Sequence, residues 1–368
     1  MKKSKSLAVL IPILFAASGS ANAVELFNKN GNKLELYGVV NPNHNFSNKF
    51  LSTEITSKED NTNSILGLAG KINITDKLSS YAKIEYKTDF FMPEDLIDKQ
   101  QPNTVRLGYA GLKYGNWGSI DYGRNYGIIH DAQSLINHVP YINNNSVFGY
   151  NDNYMLGRNN SLLTYRNHNI FGMIDGVSFA LQYQDENKNR SSKQQNSSGW
   201  GASLKYESDS GLTAVGSCFT SDRLPSDKKD LKSKSVDSYG LGFKYDAHNI
   251  YIAAFYGAAR NLTPDPANSK NYINTTENIE AIAEYNFESG FHPSLSYLDS
   301  KGHNSNDENL NELNLSKQIN ISTRYEFNKN VSTYMNYQIN LLKDSNTFVQ
   351  KYKIPTDNII GAGVVYQF

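Results

Sequence analysis

The sequence predicts an all-β protein: a sixteen-stranded antiparallel transmembrane barrel with its third long loop folded inward. Three observations carry that prediction. Short segments alternate between apolar and polar side chains from Leu34 to the C-terminal Phe368, the two-residue period of a strand. Tight turns take turns with long polar loops between those segments. The chain also joins an export leader and 12% aromatic residues to a polar mean hydropathy of −0.56, a combination that suits a wet lumen inside a lipid-facing wall.

The leader occupies residues 1–23. Lys2, Lys3 and Lys5 form a basic start, Leu7 to Ala17 is apolar, and Ala21-Asn22-Ala23 is a small-residue cleavage site. The apolar run is too short to span a bilayer as a helix. Residues 24–368 form one barrel domain of 345 residues, with 33 basic and 36 acidic side chains and a net charge of −3. That balance gives no case for nucleic acid or a polybasic membrane patch. No later stretch approaches eighteen apolar residues, so strands must do any crossing. The one cysteine, Cys218, lies in the alternating run LTAVGSCFTSD and reads as a small wall residue. The strand rhythm is unbroken, and a closed barrel has to be one unit.

The faces separate residue by residue. From Leu313 to Phe327 one face carries Leu313, Leu315, Lys317, Ile319, Ile321, Thr323, Tyr325 and Phe327, and the other Asn314, Ser316, Gln318, Asn320, Ser322, Arg324 and Glu326. Val331–Asn340 divides in the same way. A soluble sandwich would alternate too, with its apolar face inward. Short turns at one end, long loops at the other, and aromatics at strand ends (Tyr285, Phe287, Phe291, Tyr325, Phe327) favour lipid. Seven tight turns at 74–78, 114–118, 169–176, 206–211, 245–249, 287–290 and 327–330 join eight long loops near 49–62, 91–103, 125–157, 186–197, 221–235, 260–275, 300–311 and 344–354. Fifteen connections link sixteen strands, an even number with both ends on the short-turn side.

The stretch from Thr104 to Asn167 organises the rest. Two alternating flanks carry Arg106 and Arg124 before the loop at about 125–157 and Arg158 and Arg166 after it, read as one face. A loop this long inside a compact domain is usually functional. Tethered to strands at both ends, it belongs inside what they enclose.

The run AGLKYGNWGSIDYGRNYG, the HDA after it, Pro140 in the loop, and the later GR and TYRN resemble the general porins of the Gram-negative outer membrane. The resemblance extends from ELFNKNGNKLELYG to GAGVVYQF. It implies a sixteen-stranded trimer in outer-membrane lipid and lipopolysaccharide, with the third loop narrowing a pore for ions and small hydrophilic solutes. By the same resemblance, Glu94 of one subunit latches onto Arg124 of the next, and Phe368 is the signal read by the barrel-assembly machinery. Arg106 and Arg158, with Arg166 nearby, fall on the family's basic cluster, and Glu85 on its wall acid. The two loop acids fall on Asn137 and Tyr141, and two further bases on Val39 and Ile65, all uncharged. Residual arginines without opposing loop carboxylates predict a lean toward anions or near neutrality, offset in part by Asp131, Glu85 or Asp152. His130 and His138 are expected to add charge below about pH 6.5.

Other readings are weaker. The sequons at Asn73 and Asn196 are polar wall and loop residues in a Gram-negative envelope. The seven histidines show no metal-ligand spacing; His44, His248, His292 and His303 read as rim or loop residues. No nucleophile elbow occurs, so neither an enzyme nor a cofactor is expected. The competing function is a solute-specific channel with a weakly charged constriction. No aromatic track or lysine-rich constriction marks one.

Overall fold

The computed structural model describes residues 23–47, 60–90, 103–137, 146–148, 153–188, 195–223, 235–264, 272–303, 312–352 and 354–368. Its strands are β1 (Val24–Lys29), β2 (Asn32–Asn41), β3 (Asn43–Ser47), β4 (Asn63–Asn73), β5 (Leu78–Asp89), β6 (Asn103–Tyr114), β7 (Ser119–Tyr126), β8 (Arg158–Asn167) and β9 (Val177–Gln184). They continue as β10 (Gly199–Glu207), β11 (Leu212–Asp222), β12 (Ser235–Ala247), β13 (Ile250–Arg260), β14 (Thr275–Tyr285), β15 (Phe291–His303), β16 (Leu313–Asn328), β17 (Val331–Asn340) and β18 (Ile359–Gln367). All pairings are antiparallel between chain neighbours, and β18 closes onto β2 and β3. Pro42 has no N–H for a ladder, so β2 and β3 are one strand interrupted there. The circuit is therefore a closed barrel of sixteen strands, β2/β3 through β18.

The extra segment is β1, which the alternation from Leu34 onward does not anticipate. It turns back onto β2 through Asn30 and Gly31, both at positive φ. Phe368 exchanges two backbone hydrogen bonds with Gly38, and Val24 stands opposite Leu36. β1 thus takes up the line along β2 where β18 ends, so that stretch of the β2 edge stays paired. Each unsatisfied backbone group in lipid would cost several kcal/mol.

The turns fall at the seven expected places. At the other end, β15 runs to His303 rather than ending near Asp299, and Thr347–Tyr352 adds a helical turn to the last loop. Of the histidines expected in rims or loops, His44 lies within β3 and His292 and His303 at the two ends of β15, while His248 lies in the turn after β12.

Burial is inverted relative to a soluble sheet. On β5, Ala82, Ile84 and Tyr86 face out while Lys83 and Glu85 are buried inside. On β16, Ile321, Tyr325 and Phe327 face out, and Gln318, Asn320, Ser322 and Arg324 are buried. Tyr285, Phe287, Phe291, Tyr325 and Phe327 are all exposed at the short-turn end, with ring centroids of neighbouring pairs 4.6–6.0 Å apart. Large apolar side chains in that position form the outer wall and interfacial girdle of a membrane barrel.

The main apolar cluster lies inside. Ile128, Ile129, Ala132, Ile136, Phe148 and Met155, from the connection between β7 and β8, pack with wall residues that include Val215, Phe219, Tyr251, Phe255 and Ile282. Glycine makes room for that approach. A Cβ at Gly242 would stand 2.5 Å from the Ala132 carbonyl oxygen, and one at Gly201 would stand 2.6 Å from Ile128 Cγ2.

Candidate pore constriction

The site is built where the β7–β8 connection meets the inner wall. Polar tethers at successive points hold the connection. The Ile128 N–H donates to Gln182 Oε1 at 2.8 Å, and Gln182 Nε2 donates to the Tyr126 carbonyl at 3.0 Å. The Tyr251 hydroxyl donates to the Leu135 carbonyl at 2.6 Å. Further along, the Ser146 hydroxyl donates to Glu280 Oε1 at 2.6 Å. Asp131 takes both Arg166 Nη atoms at 2.8 and 2.9 Å and the Ser203 hydroxyl at 2.6 Å. A bidentate guanidinium–carboxylate pair is directional as well as strong, so it fixes the first turn of the connection against β8 and β10.

On the other side, Glu85 is the hub. It accepts from Arg106 Nε, from the Tyr37 hydroxyl at 2.9 Å, and lies 3.9 Å from Lys83 Nζ. Lys83 also stands 4.8 Å from the centre of the Tyr37 ring, within cation–π range. Strand parity alone cannot put Arg106 here. Gly108 pairs with Arg124, so regular alternation would send Arg106 outward with it. A bulge intervenes: Glu85 pairs with Leu107 and Tyr86 with Val105, leaving Arg106 as the extra residue. Bulges re-aim side chains in this way. The four arginines therefore do not share one face. Arg124 shares the parity of exposed Ile120 and Tyr122 and bonds the Val105 carbonyl and Asn160 Oδ1 at 2.8 and 2.6 Å.

Arg158 lies over the Tyr126 ring at 5.9 Å, and Tyr126 in turn stacks on His130 at 4.1 Å. Val39 and Ile65 are direct cross-strand partners, with Lys87 next in the row. Asn137 lines a recess between the connection and β14–β16. The Phe368 ring closes over Gly38, where a Cβ would stand 2.6 Å from it. Glu94, His138, Pro140, Tyr141 and Asp152 lie outside the described residues.

Several participants escaped sequence reasoning. Lys83 and Lys87 share a face with Glu85 by strand parity, which brings two more positive charges to this wall. Asp121 faces in and accepts from Tyr81 and Asn125, each at 2.9 Å. Arg223 is 1% exposed, with its guanidinium 3.5 Å from the Tyr272 ring centre; no sequence signal marks it.

His130 corrects the expected pH response. Burial in the docked connection, with Arg158 and Arg166 adding to it against the pull of Asp131, pushes its pKa down to about 4. It stays neutral when docked, while an undocked imidazole protonates near pH 6.5. Docking is then fully favoured above pH 6.5 and weakens as pH falls through about 4. Single-channel current should be flat between pH 8 and 6 and turn noisy only toward pH 4; a step centred on pH 6.5 would show that His130 titrates exposed.

A closed, lipid-facing barrel whose lumen is partly filled by its own polar and charged residues defines a class: a channel-forming protein of an outer membrane. The chain belongs to the Gram-negative porin family, whose model matches residues 29–368. It is 76% identical to the porin-like protein of Buchnera aphidicola subsp. Schizaphis graminum and 41% identical to outer membrane protein F of Serratia marcescens, in each case over 100% of both chains. Its fold superposes on the Salmonella typhi OmpF complex with daunomycin at a TM-score of 0.84 and 36% identity, covering 94% of this chain and 100% of that one. It is therefore an outer-membrane porin, a channel and not an enzyme.

Proposed function

We propose a trimeric general diffusion porin in which the connection at about 125–157 folds inward and sets the narrowest cross-section. Ions and small hydrophilic solutes pass down their gradients, and no cofactor takes part. Residues 1–23 serve as the export leader, Phe368 as the signal for barrel assembly, and lipopolysaccharide and lipid surround the outer wall.

The observation that carries this reading is the pairing of charge around the constriction. Among the described residues, Lys83, Lys87, Arg106, Arg158 and Arg166 stand with Glu85, Asp89, Asp121, Asp131 and Glu280, and most are joined in pairs: Arg106–Glu85, Arg166–Asp131, and Lys87–Asp89 at 2.6 Å. Rings of charge set ion preference in pores, and a balanced ring sets little. Of the lean toward anions or near neutrality that the arginines suggest, this pairing favours near neutrality. Osmotic swelling of liposomes containing the purified protein tests the reading. Rates should fall steadily with solute size and not saturate with concentration for most solutes. No swelling above empty liposomes would sink it.

The latch is a separate expectation. Arg124 points outward, where a neighbouring subunit would stand, and Glu94 supplies the carboxylate. Trimers of Glu94→Ala and Arg124→Ala should dissociate at a lower temperature than wild type on unboiled gels. Since apolar wall packing supplies most trimer stability, the shift should be modest. Unchanged dissociation in both variants would exclude the latch.

A further inference from the structure

Next to the Arg324–Glu284 pair, the inner wall of β15, β16 and β17 carries a stretch without charge. Three cross-strand rows run over β15, β16 and β17: Ser294–Ser322–Asn336, Ser296–Asn320–Gln338 and Leu298–Gln318–Asn340. Some of their hydrogen bonds are internal. Asn320 Nδ2 donates to Ser296 Oγ at 3.2 Å, and the Ser322 hydroxyl donates to Asn336 Oδ1 at 2.9 Å. Two acceptors are left over. Asn320 Oδ1 and Gln338 Oε1 are enclosed and have no hydrogen-bond partner among the described residues, and both side chains are 1% exposed. A recess of about 40 Å³ opens between Asn320, Gln318, Ser296 and the tip residues Ile136 and Asn137. That is room for about three hydroxyl-sized groups. Its one charged lining residue, Glu280, already accepts from Ser146 and Asn278 at 2.6 Å.

An enclosed acceptor without a donor is costly, so these oxygens call for a donor from water or from a passing solute. Anions bring acceptors only and gain nothing here. A hydroxyl both donates and accepts, and it replaces a bound water with little loss. We propose that this amide wall is a weak subsite for small neutral polyhydroxylated solutes, polyols and monosaccharides, which it passes ahead of donor-free solutes of similar size. The proposal rests on the chain acting as a diffusion porin.

The test compares xylitol with trimethylglycine, a smaller solute that carries no hydrogen-bond donor, in liposome swelling, with KCl conductance measured on the same preparations. Wild type should pass xylitol faster than its size predicts from trimethylglycine. Asn320→Leu and, separately, Gln338→Met should each lower the xylitol-to-trimethylglycine ratio by about threefold, the worth of one hydrogen bond, with KCl conductance kept. In wild type alone, xylitol should produce a saturable drop in KCl current beyond the viscosity effect seen with trimethylglycine, a readout that needs no variant to fold. An unchanged ratio in variants that still conduct KCl, or the absence of that saturable drop, would overturn the subsite while leaving the porin reading intact. A wild type that conducts no KCl would overturn both.

Discussion

Asp131→Asn is expected to release the start of the inward connection from the wall and to speed hydrogen exchange of the Ile128, Ile129 and Ala132 amides by about 100-fold or more. The physical reason is asymmetric. Asp131 balances the Arg166 guanidinium through two hydrogen bonds and also accepts from Ser203. Asparagine keeps the shape and loses the charge, leaving a largely buried cation without its counter-charge. Breaking one partner of a buried pair costs about 3–5 kcal/mol, and each 1.4 kcal/mol is tenfold in a local opening equilibrium. Strand amides in β11–β13 should hardly change, because the barrel closes without the connection. The double variant Asp131→Asn with Arg166→Met removes both charges and should recover most of the protection. If the double variant exchanges as fast as the single one, the pair is not what holds the connection down.

Gly242→Leu is expected to lower single-channel conductance markedly, by about half or more. Gly242 lies on the inner face of β12, where its missing side chain admits the Ala132 carbonyl; a Cβ would stand 2.5 Å from that oxygen and 3.1 Å from Leu135 Cδ1. Neither backbone nor wall can give by that amount in a packed interior, so the connection must shift off the wall into the open side of the lumen. Gly216→Ala on the neighbouring strand is the control, since its nearest contact is the Leu241 side chain at 3.5 Å. Equal conductance in Gly242→Leu and wild type would place the connection outside the conducting path.

Much of the barrel was legible because its punctuation is chemical. Turns at Gly211, Gly290 and Asn249 need positive φ, and Gly and Asn tolerate it. Alternation then fixed the faces of β5 and β16 without help. What stayed hidden depends on register between strands, which one strand's pattern does not contain. Arg106 reads as an ordinary alternating residue, and only its pairing with β5 shows the bulge that turns it inward. The same holds for Val39 and Ile65, which are partners in one row. Asp131 and Arg166 are thirty-five residues apart and read as two separate charges until the connection is folded between them. The connection reads as an inward loop from its tethers alone, but the wall that Ile128, Ile129 and Ala132 pack on, and the room that Gly201 and Gly242 leave there, appear only once the strands are in register. β1 is hard to read from the sequence because its apolar residues, exposed Leu26 and Phe27 among them, follow directly on the expected leader.

The balance of charge at the constriction is the centre of the account, and a reversal potential reads it directly. Purified protein in a planar bilayer under a tenfold KCl gradient at pH 7 should give stepwise, ohmic currents that reverse within about 15 mV of zero, against the roughly 59 mV of a perfectly selective pore. Reversal beyond about 40 mV in either direction would contradict a paired and nearly neutral constriction.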